Sequence, residues 1–181
     1  QLSAQGYSIS FIKTGYELND QNVLTSTFQD DISGLILMET LNSDTYDFIR
    51  KKVRHIVGID TQHSDIDNIG YDHIEVAQLA TQHLIEKKHT KIGFIGGSGE
   101  SKNIKRSRRY QGYYLAMLAA GLEVNNDWVI DCEWDEDICA NKINTLCKTN
   151  HCPTAFFAGS DLMAMSAMNS LYLNNISVPK D

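Results

Sequence analysis

The sequence predicts an α/β fold with parallel sheets flanked by helices, and three observations carry that prediction. Short β-branched or apolar runs alternate with amphipathic helical stretches along the chain, which is the pattern of strand-helix-strand units. The apolar runs are short and almost unbroken by polar residues, as strands buried on both faces require. With 181 residues and 42% hydrophobic content, the chain can bury one substantial core or two modest ones that share a hinge.

In chain order, residues 1–5 followed by Gly6 read as the last turn of a helix that leads into a first strand at residues 7–12. Strands follow at residues 34–38 and 56–59. Asp72 is placed to cap a helix over residues 75–87, whose apolar face is Val76, Ala77, Ala80 and Leu84. A strand at residues 91–95 precedes a helix in which Tyr110, Tyr113, Tyr114, Met117 and Leu118 recur at helical spacing, with Gly121 as its stop. A strand at residues 128–132 leads to a helix carrying Cys139, Ile143, Leu146 and Cys147. The strand at residues 154–157 gives way to a helix with Ala164, Ala167, Met168 and Leu171 on one face, and either Ser160 or Asp161 can cap it. Residues 176–181 read as the loop before another strand, so the chain is expected to be truncated at both ends, as an open sheet with a missing strand would expose apolar surface.

The formal net charge of -7 argues against a nucleic-acid surface on this stretch, because phosphate binding needs clustered Lys and Arg. No window approaches the ~20 apolar residues of a membrane span. Cys132, Cys139, Cys147 and Cys152 lack the paired spacing of a zinc site and read as reduced thiols, small apolar side chains on or near a helix, which points to a cytoplasmic location. The six histidines are scattered without a His-Glu-x-x-His pattern, so no metal and no cofactor is expected. Catalytic motifs fail too. Residues 97–102, GSGESK, lack both the third Gly of a dinucleotide loop and the Gly-Lys-Ser/Thr ending of a phosphate loop. Ser98 sits in GGSGE, which breaks a nucleophile elbow at its last position. The chain reads as a binding protein and not as an enzyme.

Three segments carry a resemblance. GYDHIEVAQLATQHLIEKKHTKIGFIGG at residues 70–97 resembles the stretch in which an Asp opens a helix ending HL(I/V)xxGH before a strand IxxIxG, with Lys88 in place of the usual Gly. RYQGYYLAMLAAGLEV from Arg109 resembles RxxGYxxAxxxAGL. PTAFFAGSDLMAMSAMNSLYLNNISVPKD from Pro153 resembles PTAxFxxxDxMAxGAxxALxxxGxxVPxD, with Ser166 and Asn175 where Gly is usual. Together they resemble the LacI/GalR family of transcription regulators over nearly the whole chain. The resemblance implies two Rossmann-like lobes of the periplasmic-binding-protein type I, here residues 1–89 and 90–181, joined by three crossovers, the first near residues 89–91. It implies a small-molecule effector, commonly a saccharide, held between the lobes and modulating operator affinity. It also implies a homodimer, and an N-terminal helix-turn-helix, outside this chain, that reads operator DNA. The alternative is a periplasmic sugar-binding protein of a transport system, which shares the fold.

Ligands of open α/β sheets sit beyond the carboxyl ends of strands, which singles out the residues after each strand. By the resemblance, Asp60 in IVGID accepts hydroxyl hydrogen bonds, or else is a solvated turn acid beside Asp65 and Asp67. Arg109 takes the place of the RxxG arginine, whose fork of donors grips hydroxyls or a carboxylate, while Lys102, Lys105, Arg106 and Arg108 read as a solvated basic loop. Trp134 stands where the family carries an aromatic that stacks on the ligand. Ser160 is expected to bond the ligand while Asp161 caps the helix. Tyr71 and Asp72 open their helix in the same manner, and for Asp72 and Asp161 capping competes with ligand contact.

Overall fold

The computed structural model describes residues 3–10, 13–149 and 151–180. The chain forms two compact units, Gln1–Tyr71 and Asp72–Asp181. The division lies before the helix that follows Asp72, so segment 72–89, placed with the first lobe by the sequence, packs with the second unit.

In the first unit, Thr14 and Asp20 cap the short helices α1 (Gly15–Leu18) and α2 (Gln21–Thr27). Strand β1 (Leu35–Leu37), helix α3 (Ser43–Lys52, capped by Asn42) and strand β2 (Ile56–Ile59) form a strand-helix-strand unit. A third strand, β3 (Asp67–Ile69), completes a parallel sheet of order β1-β2-β3, with Leu35 opposite Ile56 and Ile59 opposite Ile69. One sheet face is buried by α1, α2 and α3 through Leu18, Leu24, Phe28, Leu37, Ile49, Val53 and Ile56. No sequence signal announced β3, since all three of its residues are exposed. Its position is held by its approach. The Tyr46 hydroxyl donates to Asp65 at 2.7 Å, Arg50 bonds the other oxygen of Asp65 at 3.2 Å, and His63 stacks on Tyr46 with ring centroids 3.7 Å apart. The Tyr46 hydroxyl and Arg50 hold the Asp65 carboxyl below its ordinary range, while burial and Asp65 push Tyr46 up to about 12. Asp65 is thus anchored and is not a free turn acid. The strand expected at residues 7–12 does not form over residues 7–10, which are exposed, and residues 11 and 12 lie outside the described ones.

The second unit runs α4 (His73–Glu86), β4 (Ile92–Gly96), α5 (Arg108–Ala119), β5 (Val129–Asp131), α6 (Glu136–Cys147), β6 (Ala155–Ala158) and α7 (Asp161–Leu173). All three strands are parallel in the order β5-β4-β6, with every residue of the central β4 buried. Helices α6 and α7 cover one side around Ile95, Cys132, Cys139, Ile143 and Met163. The other side is filled by Ile92, Phe94, Tyr110, Tyr113 and Met117, with the Tyr113 hydroxyl donating to the Ile92 carbonyl at 2.8 Å. Asp72 caps α4 as expected, accepting from Ile74 N at 2.8 Å. The apolar faces are narrower than their spacing suggests. Val76, Tyr114, Leu118 and Met168 are exposed, while Ala77, Tyr113, Met117 and Ala167 are buried.

Three departures from the family pattern have structural accounts. Lys88 and Asn175, both in glycine places after helices, adopt left-handed backbone with φ of 74° and 61°. Asn tolerates that region, whereas Lys is strained there. Lys88→Gly is therefore expected to stabilise the second unit by about 1 kcal/mol, read as a higher urea midpoint at unchanged slope. Ser166, also in a glycine place, is buried and donates its hydroxyl to the Glu136 carbonyl at 2.8 Å, tying α7 to the first turn of α6.

Candidate functional site

The carboxyl ends of β4, β5 and β6 lie side by side, because the strands are parallel and in register. Beyond β5 the chain makes an abrupt turn through Glu133 and Trp134, both left-handed with φ of 52° and 64°. Two such residues in succession store strain that the surroundings must hold. The Asp131 carboxylate supplies part of that hold, accepting from Glu133 N at 3.2 Å and from Ser98 N, beyond β4, at 2.9 Å. Asp135 N closes the turn on the Cys132 carbonyl at 2.8 Å, and the Asp135 side chain then caps α6.

The turn lays the Trp134 indole across the sheet end on two glycines. A Cβ on Gly97 would fall 2.5 Å from the indole Cδ1, and one on Gly159 would fall 3.1 Å from its Cη2. Any side chain at Gly97 collides with the ring, so the indole needs bare backbone beneath it. Trp134 nevertheless keeps 36% of its surface exposed. Arg109, in the first turn of α5 and partly buried, places its guanidinium carbon 5.7 Å from the ring centroid, within the range of a cation–π contact. Arg109 and Trp134, distant in sequence, are thus brought together into one platform of a planar cation and an aromatic face.

The remaining candidates are distributed as follows. Ser160 follows β6 beside Gly159 and is itself the N-cap of α7, accepting from Met163 N at 3.4 Å. Asp161 is the first helical residue and exposed, which corrects the expected division of roles: the serine has the extended backbone that a cap requires. Asp72 caps α4 and accepts from Arg108 at 3.1 Å. The Ile74 and Glu75 N–H groups and Arg108 hold the Asp72 carboxyl below its ordinary range, the Ile74 bond most strongly. Arg108 is accordingly an ion-pair partner and not part of a solvated basic loop. In the first unit, Asp60 directly follows β2, is exposed and left-handed with φ of 58°, and donates its N–H to Ile69 O at 2.8 Å. Tyr71 is 55% exposed. Sequence reasoning missed Gly97, Gly159 and Asp131. The glycines read as ordinary loop residues, since nothing local tells a turn glycine from one that lies beneath a ring.

The first unit also carries a cavity of about 490 Å³ lined by Arg50, Arg54, His55, Asp65 and Asp67. It borders the amino end of β2, opposite to where sheets of this class bind ligands, so the Trp134 platform is the better candidate. Among the described residues no group of three His, Cys, Asp or Glu side chains is placed to hold a metal ion.

A family model described as periplasmic binding proteins and sugar binding domain of LacI family matches residues 1–181. The chain belongs to this family. It is 32% identical over 98% of its length to the HTH-type transcriptional repressor PurR of Actinobacillus pleuropneumoniae serotype 3, of which it covers 53%. Among solved structures it is similar to a transcriptional regulator CelR–cellobiose complex, at 25% identity and a TM-score of 0.78, covering 99% of this chain and 56% of that one. It shares the fold of a LacI family transcriptional regulator from Lactobacillus casei with bound glucose, at 19% identity and a TM-score of 0.82, covering 98% of this chain and 68% of that one. The chain spans about half the length of the curated relatives it matches.

Proposed function

We propose that this chain is the ligand-sensing core of a DNA-binding transcriptional repressor, and that it holds a saccharide on the Trp134 and Arg109 platform. The observation that carries the reading is the exposed indole laid on Gly97 and Gly159 with a guanidinium beside it. An indole face covers the apolar C–H patch of a pyranose, and the adjacent fork of donors bonds its hydroxyls. The names of the curated relatives favour a repressor over a transport protein, and the cellobiose complex of a similar regulator favours a saccharide. On this reading the two compact units correspond to the two lobes, each with its own ligand-facing residues: Asp60 and Tyr71 in the first, and Asp72, Ser160 and Asp161 in the second. Operator DNA is bound through an N-terminal helix-turn-helix outside this chain. A binding module of this kind acts in the cytoplasm and catalyses nothing, and among the described residues no helix is long and apolar enough to cross a membrane.

The test is a thermal-shift panel of mono- and disaccharides, their phosphates and purines, since a ligand at 100 times its Kd adds about 2.7 kcal/mol to the folded state. The expected result is an upward shift with one saccharide. Shifts confined to purines would overturn the saccharide reading and leave the sensing core intact. A homodimer is part of the proposal, supported by Leu162, Met165, Met168 and Tyr172, an exposed apolar stripe along α7. Met165→Lys is expected to shift sedimentation from dimer to monomer without lowering the melting temperature of the monomer.

A further inference from the structure

The four cysteines fall into two pairs of different character. Cys132 and Cys139 are fully buried, and both sulfurs converge on Met163: Cys132 Sγ lies 3.1 Å from its sulfur and Cys139 Sγ lies 3.8 Å from its carbonyl oxygen. No oxidant reaches them without opening the core. Cys147 and Cys152 are both partly exposed free thiols. Cys147 ends α6, and Cys152 precedes Pro153 at the approach to β6. Cys152 Sγ donates to the carbonyl of Leu146 at 3.3 Å, the peptide that leads into Cys147, so the Cys152 sulfur sits against the backbone that carries the Cys147 thiol. Two partly exposed thiols, five residues apart and with one sulfur seated on the backbone leading into the other residue, are placed to join by side-chain rotation.

We propose that Cys147 and Cys152 are a reversible disulfide-forming site, oxidised by peroxide and restored by a cellular dithiol. Hydrogen peroxide converts the first thiol to a sulfenic acid and releases one water. The second thiol attacks that sulfur, the S–S bond forms, and a second water leaves. In sum two thiols give up two electrons and two protons, and one peroxide becomes two waters. Burial first, and the neighbouring Cys152 second, hold the Cys147 thiol above its ordinary range. The turn is not isolated from the rest of the unit. His151, beside Cys152, accepts the indole N–H of Trp128 through its carbonyl at 2.7 Å, and Trp128 directly precedes β5, the strand that ends at the Trp134 turn. Closing the disulfide therefore pulls on a residue whose emission reports it.

The experiment treats the intact chain with limiting hydrogen peroxide, alkylates it under denaturing conditions and digests it with trypsin, which cuts after Lys148 between the two cysteines. The expected product is peptide 143–148 joined to peptide 149–180 at two hydrogens below the summed mass. Alkylatable thiols fall from four to two, Trp128 emission shifts in parallel, and dithiothreitol reverses all three changes. Cys147→Ser and Cys152→Ser should each abolish the joined peptide, while Cys132→Ser should retain it. Loss of thiols to sulfinic acid without the joined peptide would overturn the proposal, as would a link between Cys132 and Cys139 or a link only between two copies of the chain. A melting curve of each serine variant equal to that of the parent excludes misfolding as the cause of a lost link.

Discussion

Gly112→Ala is expected to lower the stability of the second unit by about 2 to 3 kcal/mol, although alanine is the better helix former by about 1 kcal/mol. Gly112 lies in α5 against α4, where an added Cβ would sit 2.2 Å from the Ile74 carbonyl oxygen and 2.6 Å from the Ala77 Cβ. The closest of these neighbours is backbone, which cannot rotate away, so the two helices must separate and the packing around the buried Ala77, Tyr113 and Met117 must loosen with them. The check is a urea titration followed by circular dichroism, with Gly121→Ala as the comparison. Gly121 has φ of 68° and open space around it, so its substitution carries only the left-handed backbone penalty of about 1 kcal/mol. If Gly112→Ala proved as mild as Gly121→Ala, the close approach of α4 and α5 would be refuted.

The second large effect concerns the ligand. Arg109→Ala is expected to weaken binding of the saccharide that shifts the melting temperature by at least about 2 kcal/mol, or roughly 30-fold, with the fold intact. A charged donor lost from a partly desolvated site costs more than a neutral one, and the stacking surface of Trp134 loses its neighbouring cation at the same time. Arg109→Lys separates the two contributions, since it keeps the charge and gives up the planar fork, and it should recover only part of the loss. Titration calorimetry gives the affinities. Trp134 emission should change on binding to the parent chain, because the ligand covers the exposed face of the ring. Unchanged affinity in Arg109→Ala would remove the guanidinium from the site, and a flat emission with binding shown by heat would remove the indole.

Much of the architecture was legible in the sequence because its periodicities are local. Residues 56–59 form a strand over the expected span, and the helix after Asp72 begins at His73 with that aspartate as its cap. The misses have physical causes. Strand β3 has no apolar pattern, because its place is fixed by the Tyr46, Asp65 and Arg50 contacts that precede it. Spacing does not tell which flank of each helical stripe is covered, and Tyr114 and Met168 belong to stripes whose buried part they do not join. Ser160 and Asp161 are adjacent and both able to cap, and only the backbone angles at Ser160 decide between them. The pairing of Arg109 with Trp134 was not legible from spacing, since it arises where the carboxyl ends of three parallel strands meet.

On the proposed function, the seat of Trp134 on bare backbone also sets how closely a stacked ligand would approach the sheet. The indole rests on the sheet end with no side chain between, so its height is the lowest the backbone allows. A methyl group at Gly159 would lift one edge of the ring, and a methyl at Gly97 would lift the other more steeply. On that proposal the height at which a ligand would rest is adjustable from beneath, by two positions that the ligand itself need never touch.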